Sequence, residues 1–571
     1  MSIDSTTAEL IQQIYGSVPP ELADGIAALE AAATTRGEDG ADSIPGLWSE
    51  RDVVLITYAD QVRSEGKSPL QAQRSFLLDH DLQQCIRCVH LLPFCPYTSD
   101  DGFSVVDYLA VDPESGTWED IAALGESFDL MFDLVLNHAS QKHEWFQRYL
   151  QDDPEYSDFF VDQDPTVDLS QVVRPRSLPL LTEFDSPSGT KHIWTTFSAD
   201  QVDLNYANPR VMLAMLETLV EYARRGARII RLDAIAFLWK EAGTSCIHLP
   251  QTHAAVKLMR RVLDRVVPGT LVLTETNVPH RENISYFGNG HDEAHMVYQF
   301  SLPPLLLDAI HNRDTSVVRD WLGSLKTPSD TTTFFNFTAS HDGIGVRPLE
   351  GIVPPERVEK LAEVVRSHGG RVNTRRNSDG SDSPYELNIT YLEAVANSAE
   401  VEPSEHSRRF LATQAIMLAM RGMPAVYFHS LVGSPNDQAG VEESGQNRRI
   451  NRHKYERQEL ESALSDPHGL QRRVFDGYQR LLKVRIQQPA FHPQAAQEIL
   501  DLPGDGLLGF VRTAASGERI AIVANLTDEP RTVDGTLIPA ELRYDELAQE
   551  RLFSDDSVPM RPFQVRWLSE N

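Results

Sequence analysis

Polar side chains stand at the ends of several apolar segments of the chain, and Arg231 and Asp233 form one such pair. They lie two residues apart at the end of the apolar segment 227–233. Residues two apart in a strand leave the same face, so we expect the two side chains to lie together. A neighbouring guanidinium lowers a carboxyl pKa, which predicts an ionised Asp233. Such a carboxylate suits attack on a sugar carbon, and a structural ion pair is the alternative.

Glu275 provides a second carboxyl group of a different character. It follows the apolar run Leu271-Val-Leu-Thr, and apolar surroundings raise a carboxyl pKa. A protonated Glu275 could serve as a general acid opposite Asp233, at the separation of about 5–5.5 Å typical of retaining glycosidases. Asp342, after the apolar segment 332–338, could hold the hydroxyls of the sugar ring.

Further donors and acceptors follow other apolar segments. His138 ends the third segment, His341 precedes Asp342, and Asp100 lies in the loop after the second segment. Each could be a solvated charge at a strand end. Because the polar residues recur at corresponding ends of different strands, we interpret them as one site that binds a sugar.

Eight apolar segments alternate with helical patterns and predict parallel βαβ units. A fold of class α/β, a TIM (β/α)8 barrel with its site at the carboxyl ends of the strands, accounts for the pattern. The predicted strands are 53–58, 88–94, 130–137, 227–233, 270–275, 294–300, 332–338 and 423–429.

Other segments flank or interrupt this barrel. We predict a helical extension over residues 1–48, ending in a Gly/Asp-rich connector at 35–46, and the catalytic barrel over 49–487. An irregular inserted subdomain follows the third strand at about 139–206. Alternating runs at 506–513, 518–526 and 563–568 predict a small antiparallel β domain over 488–571.

Composition narrows the class of partners. The net charge of −31 argues against nucleic acid or an anionic membrane as a partner. No apolar run is long enough to span a bilayer, and no signal peptide is evident, so we expect a cytoplasmic protein. Cys85 and Cys88 lack a second ligand pair, which favours buried reduced thiols over a metal site. We expect no cofactor and no metal, calcium included.

Four segments carry a family resemblance. Asp133-Leu-Val-Leu-Asn-His138, Arg231-Leu-Asp233, Glu275 and His341-Asp342, in that order, resemble the signature regions of glycoside hydrolase family 13, the α-amylase family. The resemblance implies Asp233 as nucleophile, Glu275 as general acid/base and Asp342 as stabiliser of the transition state. It also implies that His138, Arg231 and His341 bind the glucosyl ring.

Other motifs resemble the sucrose-phosphorylase-like subfamily. These are Ser99-Asp100-Asp-Gly-Phe103, Lys240-Glu-Ala-Gly-Thr-Ser-Cys246, Arg174-Pro-Arg176, Tyr385-Glu-Leu-Asn388 and Ile450-Asn-Arg452-His. By that similarity, Asp100 and Arg452 bind the donor glucose. Arg176, Tyr385 and Glu386 act on phosphate or acceptor, with Tyr385 and Glu386 in a mobile loop.

Three features differ from those usual in sucrose phosphorylases and bear on which acceptor the protein uses. Phe237 stands where sucrose phosphorylases usually have Tyr, Glu386 where they usually have Gln, and the segment 275–280 lacks their usual Glu-x-His. These features resemble the glucosylglycerate phosphorylases of the subfamily. Sucrose phosphorylase and sucrose 6'-phosphate phosphorylase remain alternatives, as do an α-glucoside hydrolase and a barrel used as a binding subunit without chemistry.

A phosphorylase of this charge needs arginines for its anions. Arg174 and Arg176 are candidates in the insertion, and Arg371, Arg375 and Arg376 are candidates after the seventh strand, with solvated loop charge as the alternative. The expected partners are a small glucoside and inorganic phosphate, and a homodimer is compatible with the sequence. The acceptor stays open among glycerate, fructose, fructose 6-phosphate and glycerol.

Overall fold

A closed barrel of eight parallel strands forms the centre of the protein. The computed structural model describes residues 2–34, 46–175, 178–376, 381–552 and 557–570. Each strand pairs with the next in the chain, and the eighth closes on the first. All eight predicted strands are confirmed. They are β1 (Val54–Thr57), β2 (Cys88–Leu91), β3 (Asp129–Val135), β4 (Ala227–Asp233), β5 (Leu271–Thr274), β6 (Met296–Tyr298), β7 (Thr333–Asn336) and β8 (Met423–Tyr427).

Helices cover the outside of the barrel, and local capping fixes where several begin. Ser68 accepts a hydrogen bond from the Gln71 amide, and Thr117 forms a capping box with Asp120. The helices that follow β1 to β7 include Pro69–Asp79, Trp118–Gly125, Pro209–Arg224, Pro250–Val266, His280–Asn283, Leu302–Asn312, Ser316–Ser324, Pro355–Ser367, Tyr391–Val395 and Pro403–Ala419. After β8 come Phe428–Leu431, Gln438–Ser444, Arg457–Ser465 and Leu470–Arg485.

Two helices precede the barrel, α1 (Ser5–Tyr15) and α2 (Pro20–Thr34). They pack against the helices Pro209–Arg224 and Pro250–Val266, which flank β4. Arg261 donates to Thr7 Oγ1 at 2.9 Å, so polar contacts add to this apolar docking. The predicted connector lies, apart from Gly46, outside the described residues.

The insertion after β3 contains more regular structure than its sequence indicates. His138–Ser140 pairs with Gln201–Asp203, and Leu181–Ser186 forms an antiparallel hairpin with Gly189–Trp194. The helix Glu144–Leu150 lies in the chain between the strands His138–Ser140 and Leu181–Ser186. The hairpin strands are mostly half-buried or exposed, so their sequence lacks the apolar alternation that predicts a strand.

The segment after β7 folds into a three-stranded antiparallel sheet. Asp382–Asn388 is its central strand, between Ile344–Gly345 and Arg371–Arg376. Tyr385 and Glu386, expected in a mobile loop, therefore lie in a paired strand. This sheet forms part of the wall above the carboxyl end of the barrel.

The carboxyl-terminal part is antiparallel, as predicted. Its six-stranded sheet has the order Ala496–Leu500, Leu507–Thr513, Arg519–Asn525, Val565–Ser569, Tyr544–Asp545 and Glu550–Arg551, and Arg531–Asp534 pairs separately with Ser557–Met560. Val62–Arg63 pairs with Tyr455–Glu456 beside the barrel. Buried Arg512 donates to Ala419 O at 2.6 Å and thereby connects this sheet to the barrel.

The cysteines and the helices bear on two further predictions, the state of the thiols and the lack of a membrane span. Cys85 and Cys88 are buried free thiols, as expected, and burial raises the pKa of Cys85 to about 11. Within the described ranges, no helix combines the length and apolar character that crossing a membrane requires.

Candidate active site

Arg231 holds together the acidic side chains at the end of β4. It is 2% exposed, and its Nη1 lies 2.7 Å from Asp233 Oδ1. The same nitrogen donates to Asp133 on β3, which stands beside Arg231 in the strand register. Asp133 also binds His90 at 2.6 Å. Burial raises the pKa of Asp133, but Arg231 and His90 lower it below its usual range, so the guanidinium stays neutralised.

Glu275 directly follows β5 and faces the same guanidinium. Its Oε2 lies 3.8 Å from Arg231 Nη2 and accepts a hydrogen bond from the Ala234 amide at 2.9 Å. Ala234 has φ of 50°, a left-handed conformation that costs about 1–2 kcal/mol for a residue with a Cβ. The turn after Asp233 thus fixes one oxygen of Glu275.

Burial raises the pKa of both carboxyl groups. Burial raises the pKa of Asp233 although Arg231 lowers it, so the predicted lowering was wrong in direction. Burial also raises the pKa of Glu275 to about 7, with a further contribution from the charge of Asp233. The shorter contact of Asp233 with Arg231 places the proton on Glu275. An ionised carboxylate and a neutral carboxylic acid therefore stand side by side, as two different roles require.

His341 and Asp342 follow β7 on the opposite side of the site. His341 stacks on Phe103 at 4.5 Å, and burial lowers its pKa to about 3, so the ring is neutral. Burial raises the pKa of Asp342, but His341, Arg448 and Arg231 together lower it well below its usual range. His341 Nδ1 is buried without a partner among the described residues and is free to bind a hydroxyl.

His138 lies in the wall next to the insertion. Its Nε2 donates to Phe103 O at 2.8 Å, and the residue lines the cavity of the site. Gln201, on the strand that pairs with His138–Ser140, donates to the same carbonyl at 2.9 Å. The insertion therefore positions His138.

Arg452, Asp100 and Asp101 form a second buried charge cluster. Arg452 is fully buried, and its Nη1 lies 3.2 Å from Asp100 Oδ1 and 2.9 Å from Asp101 Oδ2. Asp100 and Asp101 have φ of 52° and 49°. Backbone strain of this kind persists where surrounding contacts over-determine it, and here the ion pairs do so. Arg452 Nη2 has no partner among the described residues.

Arg448 belongs to the site and was absent from the residues that the sequence predicted. Its Nη1 lies 2.8 Å from Asp342 Oδ1, and its Nη2 lies 2.6 Å from Glu386 Oε1. It precedes Arg452 by four residues, in a run with three arginines in six residues. This cluster of arginines is the sequence feature from which Arg448 could have been predicted as a site residue.

These groups surround one cavity of about 660 Å³ at the carboxyl end of the barrel. Phe237 lines it beside Phe197, with ring centroids 5.6 Å apart. Of the predicted site residues, those that line the cavity are Asp100, His138, Arg231, Asp233, Phe237, Glu275, His341, Asp342, Tyr385 and Glu386. Arg452 adjoins it through Asp100.

The predicted anion-binding arginines are placed differently. Arg176 lies outside the described residues, and Arg174 is exposed. Arg375 pairs with Glu350 at 2.6 Å, and Arg371 donates to the Gly369 carbonyl at 3.2 Å. Among the described residues, neither Arg371 nor Arg375 lines the cavity, so the prediction that they serve its anions is not supported. No group of three His, Cys, Asp or Glu in the described ranges could hold a metal ion.

Comparison with known proteins assigns the family. Residues 82–342 match the family model for the alpha amylase catalytic domain. A glucosylglycerate phosphorylase from Allomeiothermus silvanus is 53% identical over 86% of this chain and 87% of its own length.

The chain belongs to the α-amylase family.

Two further proteins resemble the chain less closely. A sucrose phosphorylase from Agrobacterium vitis is 32% identical over 78% of this chain and 89% of its own. The crystal structure of a sucrose 6F-phosphate phosphorylase from Thermoanaerobacter thermosaccharolyticum superposes with a TM-score of 0.72 at 24% identity, covering 86% of this chain and 95% of that one. The latter likeness concerns the fold. The four segments that resemble the α-amylase signature regions all lie at the carboxyl ends of barrel strands.

Proposed function

We propose that the protein is a retaining α-glucoside phosphorylase that acts on glucosylglycerate and phosphate. The observation that carries the proposal is the pair of Asp233 and Glu275, one ion-paired to Arg231 and the other with a pKa of about 7, inside a single cavity. A nucleophile next to a neutral acid is the arrangement that double displacement at a sugar carbon needs.

In the first step, Asp233 attacks the anomeric carbon of the glucoside. The bond from that carbon to the glycerate oxygen breaks, and Glu275 gives its proton to the departing oxygen. A β-glucosyl ester of Asp233 results. Neutral His341, Asp100 and its ion-pair partner Arg452 hold the glucosyl hydroxyls, and Asp342 stabilises the positive charge that develops on the ring.

In the second step, a phosphate oxygen attacks the same carbon. The bond to Asp233 breaks, and the proton of hydrogen phosphate returns to Glu275. Two inversions retain the configuration, so the product is α-glucose 1-phosphate. Asp233 is esterified at this stage, but the cavity that phosphate enters still contains four other carboxyl groups, Asp100, Glu275, Asp342 and Glu386, so phosphate requires local cations.

The choice of glycerate rests on the relatives. The relative at 53% identity is named a glucosylglycerate phosphorylase, whereas the sucrose phosphorylase is 32% identical. Phe237 and Glu386, the two cavity residues that depart from sucrose phosphorylases, agree with this choice. Cytoplasmic location and a homodimer stay predictions.

The test supplies α-glucose 1-phosphate with glycerate, glycerol, fructose or fructose 6-phosphate and measures the phosphate released. We expect glycerate to give the highest kcat/KM. In the reverse direction, glucosylglycerate and phosphate should give the α anomer of glucose 1-phosphate by NMR. Glucose formed at a rate independent of phosphate would instead identify a hydrolase, and preference for fructose would identify a sucrose phosphorylase.

A further inference from the structure

Arg347 is a cationic residue of the active-site cavity to which the mechanism above assigns no role. The described residues that line the cavity include three arginines, and two of them are neutralised. Arg231 binds Asp133 and Asp233, and Arg448 binds Asp342 and Glu386. Arg347 differs, because within the described ranges its carboxylate contact, with Glu282, is loose.

The contacts of Arg347 leave its guanidinium able to bind an anion. Its Nη2 lies 3.9 Å from Glu282 Oε2, beyond hydrogen-bond distance, and the Glu282 side chain is 43% exposed. Its Nε is buried and has no hydrogen-bond partner among the described residues. The side chain is 15% exposed, so any bound anion would be screened weakly. An unsatisfied buried donor of this kind costs free energy until a ligand accepts its hydrogen bond.

Arg347 lies on the side of the cavity that carries the general acid. A Cβ at Gly345, two residues before Arg347, would come within 2.5 Å of Asn277 Nδ2, and Asn277 follows Glu275 by two residues. Glu282, whose Oε2 lies 3.9 Å from Arg347 Nη2, is on the helix His280–Asn283 shortly after Asn277 in the chain. Since Glu275 protonates the departing oxygen, the leaving group occupies this side. Asn277 Oδ1 is also buried without a partner in the described part of the chain, and Asn277 lines the cavity.

We propose that Arg347 binds the carboxylate of the acceptor and determines the preference for an α-hydroxy acid over a neutral polyol. This inference rests on the proposed function, since it names the residue that recognises glycerate. The planar guanidinium can meet a carboxylate with two parallel hydrogen bonds, which a neutral acceptor cannot accept with the same strength. Asn277 would meet an acceptor hydroxyl beside it.

The experiment compares glycerate with glycerol, which replaces the carboxylate by a neutral hydroxymethyl group. Transfer from α-glucose 1-phosphate is measured for the wild type, Arg347→Ala, Arg347→Lys and Arg281→Ala. Arg281 is exposed on the helix His280–Asn283 and does not line the cavity, so it controls for the general loss of one positive charge.

We expect Arg347→Ala to lower kcat/KM for glycerate about 10- to 100-fold, through KM, and to leave glycerol transfer within about threefold. Arg347→Lys should recover part of the loss, and Arg281→Ala should behave as the wild type. An unchanged ratio of glycerate to glycerol in Arg347→Ala overturns the inference alone. A rise in KM for phosphate without a change in that ratio also overturns it, because Arg347 would then be a phosphate residue. A wild type that does not prefer glycerate overturns both the inference and the proposed function. Retained glycerol transfer shows that the variant is folded.

Discussion

Arg448 donates two hydrogen bonds to Glu386 Oε1, from Nη2 at 2.6 Å and from Nε at 3.1 Å. The same guanidinium reaches Asp342 at 2.8 Å. A carboxylate at position 386 would otherwise repel both phosphate and an anionic acceptor. The ion pair neutralises it and also supports the ionised form of Asp342, so the exchange of the usual Gln for Glu386 is compensated within the site.

Substitutions of Arg448 and Glu386 should be coupled. Arg448→Ala leaves two carboxylates without their shared cation, and we expect a loss of about 10- to 100-fold in kcat/KM. Glu386→Gln should lower kcat/KM less, because the ion pair between Arg448 and Asp342 remains in that variant. Part of the loss in Arg448→Ala should be recovered when Glu386→Gln is added. The measurement is kcat/KM for the four proteins of the cycle, and additive losses would contradict the coupling.

Asp233→Asn should abolish turnover and leave the fold intact. The amide cannot form the glucosyl ester, and Asp133 still neutralises Arg231. We expect kcat to fall at least about a thousandfold. The rate of phosphorolysis and the thermal unfolding curve check this together. A variant with a substantial part of the wild-type rate would show that Asp233 is not the nucleophile.

The rate should depend on pH with a limb near neutrality. Burial raises the pKa of Glu275 to about 7, so the acid that protonates the leaving group is lost as pH rises through 7. On the acid side the rate should fall as Asp233, whose pKa is also raised, takes up a proton. The profile of kcat/KM for glucosylglycerate tests both limbs. Glu275→Gln should remove the basic limb from the residual activity, and a rate that is flat from pH 6 to pH 8, about one unit either side of that pKa, would exclude Glu275 as the acid.

The raised pKa of Glu275 also makes the free energy of unfolding depend on pH. Folded Glu275 binds its proton more tightly than the unfolded chain does, because its pKa exceeds the usual value of 4.5. Its contribution to the free energy of unfolding is therefore full at low pH and declines between the unfolded pKa and about 7. Glu275→Gln should reduce this decline in a series of unfolding curves.

Arg176→Ala tests the sequence-based prediction for phosphate. A bidentate contact with phosphate is worth a few kcal/mol, so its loss should lower phosphate use about ten- to a few hundred-fold. Formation of the glucosyl ester needs no phosphate when glucosylglycerate is the donor, so water should capture more of the intermediate. The ratio of glucose to α-glucose 1-phosphate, measured over a range of phosphate concentrations, reports this shift. An unchanged phosphate dependence would show that Arg176 is not a phosphate residue.

Ile11→Ala tests whether α1 is part of the barrel's folding unit. Ile11 is fully buried against the barrel helices, and such truncations cost about 2–5 kcal/mol. We expect a lower midpoint in thermal unfolding, while Gln13→Ala, on the exposed side of the same helix, should leave the midpoint unchanged. Equal midpoints for the two variants would show that α1 contributes little to stability.

The sequence predicted best where periodicity is strong. The bounds of β4 were predicted to the residue, because an apolar run ends abruptly in charged side chains. The polar hairpin of Leu181–Ser186 and Gly189–Trp194 was missed because its strands, mostly half-buried or exposed, carry no apolar alternation. Structure of that kind depends on contacts with the rest of the insertion, which a local pattern does not report.

The site was predictable at strand ends and less so between them. Asp233 ends a recognisable strand, Glu275 and Asp342 follow two others, and the structure brings all three to one cavity. Arg448 was missed because its partners Asp342 and Glu386 lie far away in the chain. The direction of the Asp233 pKa was wrong because a neighbouring arginine can be read from the sequence, whereas burial cannot.

The docking of α1 has a consequence for synthesis on the ribosome. Thr7 and Arg261 are 254 residues apart, so the apolar face of α1 emerges long before the helix that covers it. At about 5–20 residues per second, the nascent chain carries this uncovered face for about 10–50 s. During that interval α1 is a natural binding segment for a chaperone, and slowing translation between α2 and Pro250–Val266 should increase aggregation of the nascent protein.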